Sequence, residues 1–103
     1  MYNLEYQPIA QHDMINIVTY ISEVLCNPIA ANRLAEAFID SAENIRDFPY
    51  SMPVYHPVKP LKYEYRKLIV NNYIMFYRVN DAQKLITVAR VIYAKSDYGK
   101  KLE

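Results

Sequence analysis

The first regular pattern in the chain is a short alternation, with Tyr2, Leu4 and Tyr6 separated by Asn3 and Glu5 and followed by Pro8. Successive strand side chains point to opposite faces, so this alternation predicts a β-strand over Tyr2–Tyr6. Past Pro8, a residue suited to the first turn of a helix, the period changes. Met14, Ile17, Val18, Ile21 and Leu25 recur at intervals of three and four and predict an amphipathic helix over Ile9–Leu25. Asn27-Pro28 then supplies an N-cap with Pro at the first helical position. The second helix carries an apolar stripe on Leu34, Phe38, Ala42 and Ile45 and turns Arg33, Glu36, Asp40, Glu43 and Arg46 outward. The connection is so short that the two helices are expected to form an antiparallel hairpin.

Helical spacing ends at Phe48–Pro60, where four prolines exclude a helix and a central strand. This segment reads as an extended connector, and its Phe, Tyr, Met and Val side chains predict that it lies against the fold. Alternation resumes over Lys62–Val70, Tyr73–Val79 and Leu85–Ala94, with turns at Asn71-Asn72 and Asn80–Gln83. Asn accepts positive φ better than other non-glycine residues, which suits a chain whose only glycine is Gly99. Ser96–Leu102 reads as a short helical turn or tail with Ser96 as its cap. The expected fold is therefore α+β in the order β-α-α-β-β-β. A helical hairpin covers one face of a small, mainly antiparallel twisted sheet, and the other face is left free as a working surface.

Composition narrows the field without changing that order. The 103 residues make a single domain spanning 1–103, and 52% apolar content marks an ordered globular chain. Cys26 is the only cysteine, so no internal disulfide forms, and its neighbours Val24, Leu25 and Ile29 suggest a small buried side chain. His12 and His56 are far apart with no ligand-spaced neighbour, so neither a metal nor another cofactor is expected. No apolar run approaches a membrane span and the N-terminus lacks a signal-peptide core, so a cytosolic protein is the expectation.

Charge adds a more specific clue. Residues 1–58 carry a net charge of −5 and residues 59–103 a net +6. Lys62, Arg66, Lys67, Arg78, Arg90 and Lys95 fall on adjacent predicted strands and their ends, interleaved with tyrosines. Guanidinium and ammonium groups can grip phosphates while tyrosine rings stack on bases, so this pattern suits nucleic acid or an acidic protein partner.

The element order, the hairpin YRKLIVNNYIMFYRV (65–79), the strand ITVARVIYA (86–94) and the terminal AKSDY (94–98) resemble the RelE/ParE superfamily of toxins from bacterial type II toxin-antitoxin modules. The FPYSMP stretch after the second helix is similar to that family's connector. The resemblance implies a cytoplasmic growth-arresting toxin neutralised by a cognate antitoxin. It also implies one of two targets. RelE-like members cleave mRNA on the ribosome without a metal, the ribose 2′-hydroxyl attacking the adjacent phosphate, which requires charge stabilisation and proton transfer. ParE-like members inhibit DNA gyrase. Carried over residue by residue, Arg66, Lys67 and Tyr98 match the catalytic positions of a nuclease, and Lys62, Arg78, Arg90 and Lys95 are candidates for target binding. Ile74 stands where active RelE-like sequences place an Arg after the strand tyrosine, Ser96 interrupts the basic pair before Asp97-Tyr98, and Tyr93 stands where some ribonuclease branches place a His. Sequence alone favours mRNA cleavage narrowly, with gyrase inhibition and an inactive binding module as the alternatives.

Overall fold

Pro8 and Pro28 each open a helix, as the sequence pattern requires. The computed structural model describes every residue from Met1 to Glu103. Strand β1 (Asn3–Tyr6) leads into α1 (Pro8–Thr19), and α2 (Pro28–Asn44) follows after a tight corner. Asn27 caps α2 by accepting the Ala30 N–H at 3.1 Å. The strands β2 (Arg66–Val70), β3 (Tyr73–Asn80) and β4 (Leu85–Tyr93) complete the sheet, and a short 3-10 turn spans Tyr98–Lys100. Spatial order is β1-β4-β3-β2. The first strand runs parallel to β4 while both other pairings are antiparallel. No helix is long and apolar enough to cross a membrane.

The predicted helix Ile9–Leu25 is two structures. Beyond Thr19 the coil widens into a π-helical turn, Tyr20–Val24, in which the Leu25 N–H reaches the Tyr20 carbonyl at 3.1 Å. Widening rotates the side chains out of phase with the stripe, so Leu25 is exposed and Cys26 sits exposed at φ 53°. Cys26 is therefore not the buried side chain expected of it.

The hairpin packs on one sheet face. Leu34, Phe38 and Ala42 meet Leu68, Met75, Tyr77 and Val88 in the larger of two cores. The opposite face is not the free surface expected from sequence. Tyr65, Ile74, Phe76, Ala89, Ile92 and Leu102 form a second core there, with Tyr55, Leu61 and Tyr98 packed against it. Connector and tail therefore cover the face that the helices leave open. Strict alternation also fails in β4, because the register shifts between Phe76 and Tyr77, which pair with Arg90 and Val88 and leave Ala89 unpaired. This bulge explains why Val88 and Val91 share the helix-facing core while Ala89 and Ile92 belong to the other.

Lys62 lies before β2 rather than in it. The connector is tied to this part of the sheet, with Val54 bridging Arg66 and the Tyr55 N–H donating to the Tyr65 carbonyl at 2.8 Å. From the core, the buried Tyr77 hydroxyl donates to the Pro49 carbonyl at 2.7 Å. Positive φ at Asn71 (53°) and Lys84 (50°) closes the two hairpin turns.

Candidate functional site

Adjacent residues of a strand face opposite ways, so Arg66 and Lys67 cannot serve one site on the same sheet face. Arg66 shares its face with Leu68 and Val70, and its guanidinium is committed to the connector. Nη1 donates to the carbonyls of Met52 at 2.7 Å and Tyr50 at 3.2 Å, and the group lies 5.0 Å from the centre of the Tyr50 ring. Glu64 approaches it at 3.7 Å. Arg66 thus acts as a strut between sheet and connector.

Lys67 points to the other face, where its ammonium lies 6.0 Å from the centre of the Tyr98 ring. Tyr98 rests on Phe76 at 5.2 Å and on Tyr55 at 5.6 Å between ring centres. Of the three residues matched to nuclease positions, the fold brings Lys67 and Tyr98 together and leaves Arg66 elsewhere. Beside Tyr98, between connector and tail, is a cleft of about 540 Å³ lined by Tyr55, Lys59, Leu61, Ser96 and Lys100 among others. Asp97 is the only carboxylate in its lining and sits 3.7 Å from Lys100 Nζ. The cleft is cationic and aromatic, but it holds no paired acid and base.

The remaining basic candidates are dispersed. Arg78 stacks 4.3 Å over the Tyr63 ring, and the Gln7 amide oxygen, turned toward it, accepts from both terminal nitrogens at 3.2 Å. Arg78 and Arg66 both line a cleft of about 350 Å³ that also contains Glu64 and Asp81, so its charges are mixed. Arg90 is bound to Asp13 and to the Lys101 carbonyl, and the Asp13 hydrogen bond raises its pKa further above the ordinary value. Lys62 and Lys95 are exposed, and the Lys62 ammonium lies 5.3 Å over Tyr63. Ile74 is buried in the second core, so the side chain at that position does not reach the surface.

Two features escaped sequence reasoning. Asp81 gathers the Tyr2 and Tyr50 hydroxyls and Lys84 Nζ, and the Tyr2 hydroxyl is the main cause of its lowered pKa. Between α1 and α2 runs an apolar groove of about 490 Å³ lined chiefly by Tyr6, Met14, Ile15, Val18, Phe38 and Ile39. The Tyr6 hydroxyl is buried beside it without a hydrogen-bond partner, and burial raises its pKa, with Glu43 adding to the effect. Ile15 and Ile39, apolar but outside the predicted stripes, were the available signal for the groove.

Comparison with known proteins places this geometry in context. The family described as "ParE toxin of type II toxin-antitoxin system, parDE" matches residues 4–98. No curated protein matches the sequence. Among solved structures, a chain of the chromosomal ParDE toxin-antitoxin system of Pseudomonas aeruginosa superimposes with a TM-score of 0.72 at 16% identity, covering 92% of this chain and 98% of that one. A chain of the RelBE2 complex of Mycobacterium tuberculosis gives 0.63 at 16% identity, over 89% of this chain and 96% of that one. One from the archaeal RelE-RelB complex of Pyrococcus horikoshii gives 0.60 at 12% identity, over 91% and 96%. At these identities the structural matches establish the fold.

Proposed function

Because the chain belongs to the ParE toxin family of type II toxin-antitoxin systems, we propose that it arrests growth by inhibiting DNA gyrase and is neutralised by a cognate antitoxin. The observation that carries this reading is the separation of the nuclease-matched residues. Arg66 is locked to the Tyr50 and Met52 carbonyls on the face opposite Lys67, and Ile74 is buried. A nuclease must converge charge stabilisation and proton transfer on one phosphate, and this arrangement supports binding rather than cutting. The test is a gyrase supercoiling assay with purified toxin. Loss of supercoiling and accumulation of cleaved DNA is the expected result, with translation initially intact on expression. Undiminished supercoiling at stoichiometric excess would rule the reading out.

One observation favours mRNA cleavage instead, namely the contact of Lys67 with Tyr98 beside the lysine-lined cleft. That reading requires cuts in mRNA at A-site codons when the protein is added to translating ribosomes. For the antitoxin, the groove between α1 and α2 offers the largely apolar lining that a helical or extended segment needs. Retention of the antitoxin by a charged groove variant would place its binding elsewhere.

A further inference from the structure

The end of the molecule where α1 turns into α2 differs from the rest of the surface. From Met14 to Asn32 the only charged residue is Glu23. The π-helical turn buries none of its own residues. It presents Tyr20, Val24 and Leu25 at 52%, 64% and 56% exposure, next to Ile29 at 67%. A π-turn is an uncommon conformation, and the left-handed Cys26 that follows adds local strain. A strained turn that packs only Ile21 against the core and leaves large apolar side chains in water marks a contact surface.

The patch has relief. A hollow of about 370 Å³, lined in part by Tyr20, Leu25, Ala30, Leu34, Asn72 and Tyr73, opens at this end of the molecule, and no residue in its lining is charged. Val24 and Ile29 neighbour these residues in the chain and project without lining it. Projection and hollow side by side form a self-complementary surface, the requirement of an isologous contact in which two copies exchange the same pair of features.

We infer that this end of the molecule docks a second copy of the chain about a two-fold axis, Val24 and Ile29 of each copy entering the hollow of the other. Charge selects this occupant. A patch without cations offers nothing to nucleic acid, and its one charged residue, the exposed Glu23, leaves only a single like-charge pair for two copies to hold apart. Area agrees. Four half-exposed large side chains and the rim of the hollow offer on the order of 500 Å² per copy, so about 1,000 Å² in total, at the lower end for a specific and transient interface. A dimer with so small an interface is weak and reversible.

Sedimentation equilibrium of the full chain across the micromolar range tests this, and Cys26 serves as a built-in reporter within the patch. The expected result is a monomer–dimer equilibrium, a dimer captured by a short bismaleimide through Cys26, and at least about tenfold weaker association for Val24→Asp and for Ile29→Asp. Both side chains are exposed, so circular dichroism and the melting temperature stay at wild-type values, and Val24→Ser provides a milder variant should either substitution perturb folding. A chain that stays monomeric throughout overturns the inference, as does a dimer indifferent to these substitutions. Variants that lose the antitoxin while keeping the dimer also overturn it, by assigning the patch to the antitoxin. The supercoiling assay reads the target independently, so failure here and failure of the gyrase reading are distinguishable.

Discussion

Arg90 and Asp13, 77 positions apart in sequence, form a two-pronged ion pair with Nε to Oδ2 at 2.8 Å and Nη2 to Oδ1 at 3.0 Å. The same carboxylate accepts the Val91 N–H at 2.9 Å, and Arg90 Nη1 donates to the Lys101 carbonyl at 2.7 Å. Strand β1 pairs with β4 only as far as Val88, so beyond that point the β4 edge needs acceptors from elsewhere. Asp13 supplies one from α1, and Arg90 joins the tail to the same junction.

Removing Asp13 strands both donors in a partly buried place. Asp13→Ala is expected to cost about 2–3 kcal/mol, since the guanidinium and an amide lose their partner together. For a chain of this size that lowers the melting temperature by about 10–20 °C. A thermal melt followed by circular dichroism checks it, and a shift of less than about 3 °C would show that water replaces the carboxylate freely.

The alkaline limit of stability is set in part by Tyr65. Its ring is buried and its hydroxyl donates to Glu103 Oε2 at 3.0 Å. Burial, with the Glu103 carboxylate adding to it, pushes the Tyr65 pKa up to about 12 from the model-compound value of 10.0. The folded state thus favours the protonated phenol. Its contribution is intact below about pH 10 and lost as pH rises through about 12. Phenolate absorbance and far-ultraviolet circular dichroism, followed together, should show unfolding in that window that Tyr65→Phe reduces. Identical profiles for the two proteins would remove Tyr65 from the account.

Arg66 and Tyr98 separate a strut from a catalytic group. Arg66→Ala frees two connector carbonyls and is expected to lower stability by about 1–2 kcal/mol. Growth arrest then weakens only as far as the folded population falls. Tyr98→Phe removes a hydroxyl that engages in no side-chain hydrogen bond within the chain, so melting temperature and growth arrest stay at wild-type values. A loss of about 100-fold in mRNA cleavage for Tyr98→Phe would instead identify it as a proton-transfer group.

The elements were legible because each follows from local chemistry. Pro8, Asn27-Pro28, the Leu34/Phe38/Ala42 stripe and Asn71 mark helix starts, a buried face and a turn within a few residues of chain. What was not legible depends on distant contacts or on one-residue changes of phase. The bulge at Ala89 reverses the facing of the rest of β4, and no residue type announces it. The basic candidates were chosen by charge, but their partners lie far away in sequence. Asp13 takes Arg90, and the connector carbonyls take Arg66. Leu102 reads as a frayed tail in sequence, yet it plugs the second core because Ile74, Phe76 and Ile92 leave an apolar face to cover. A cationic surface read from charge alone therefore overstated how many of its charges are free.

The groove between α1 and α2 gives a prediction in which two measurements move in opposite directions. Ile15 and Ile39 are exposed on its walls, so an acidic residue at either position leaves the free toxin folded. An apolar antitoxin segment seated there would have to bury that charge, at a cost above about 2 kcal/mol, or roughly 30-fold in affinity. Ile15→Asp and Ile39→Asp should therefore still arrest growth while escaping rescue by the co-expressed antitoxin, as scored by plating. Tyr6 refines the picture, because its buried hydroxyl has no partner in the free chain. Tyr6→Phe removes an unsatisfied polar group and should raise the melting temperature of the free toxin, by about 1 kcal/mol in stability. If the antitoxin provides the missing acceptor, the same substitution weakens the complex by about five- to tenfold. A Tyr6→Phe toxin that gains stability with no loss of antitoxin affinity would show that the bound segment passes the groove without meeting Tyr6.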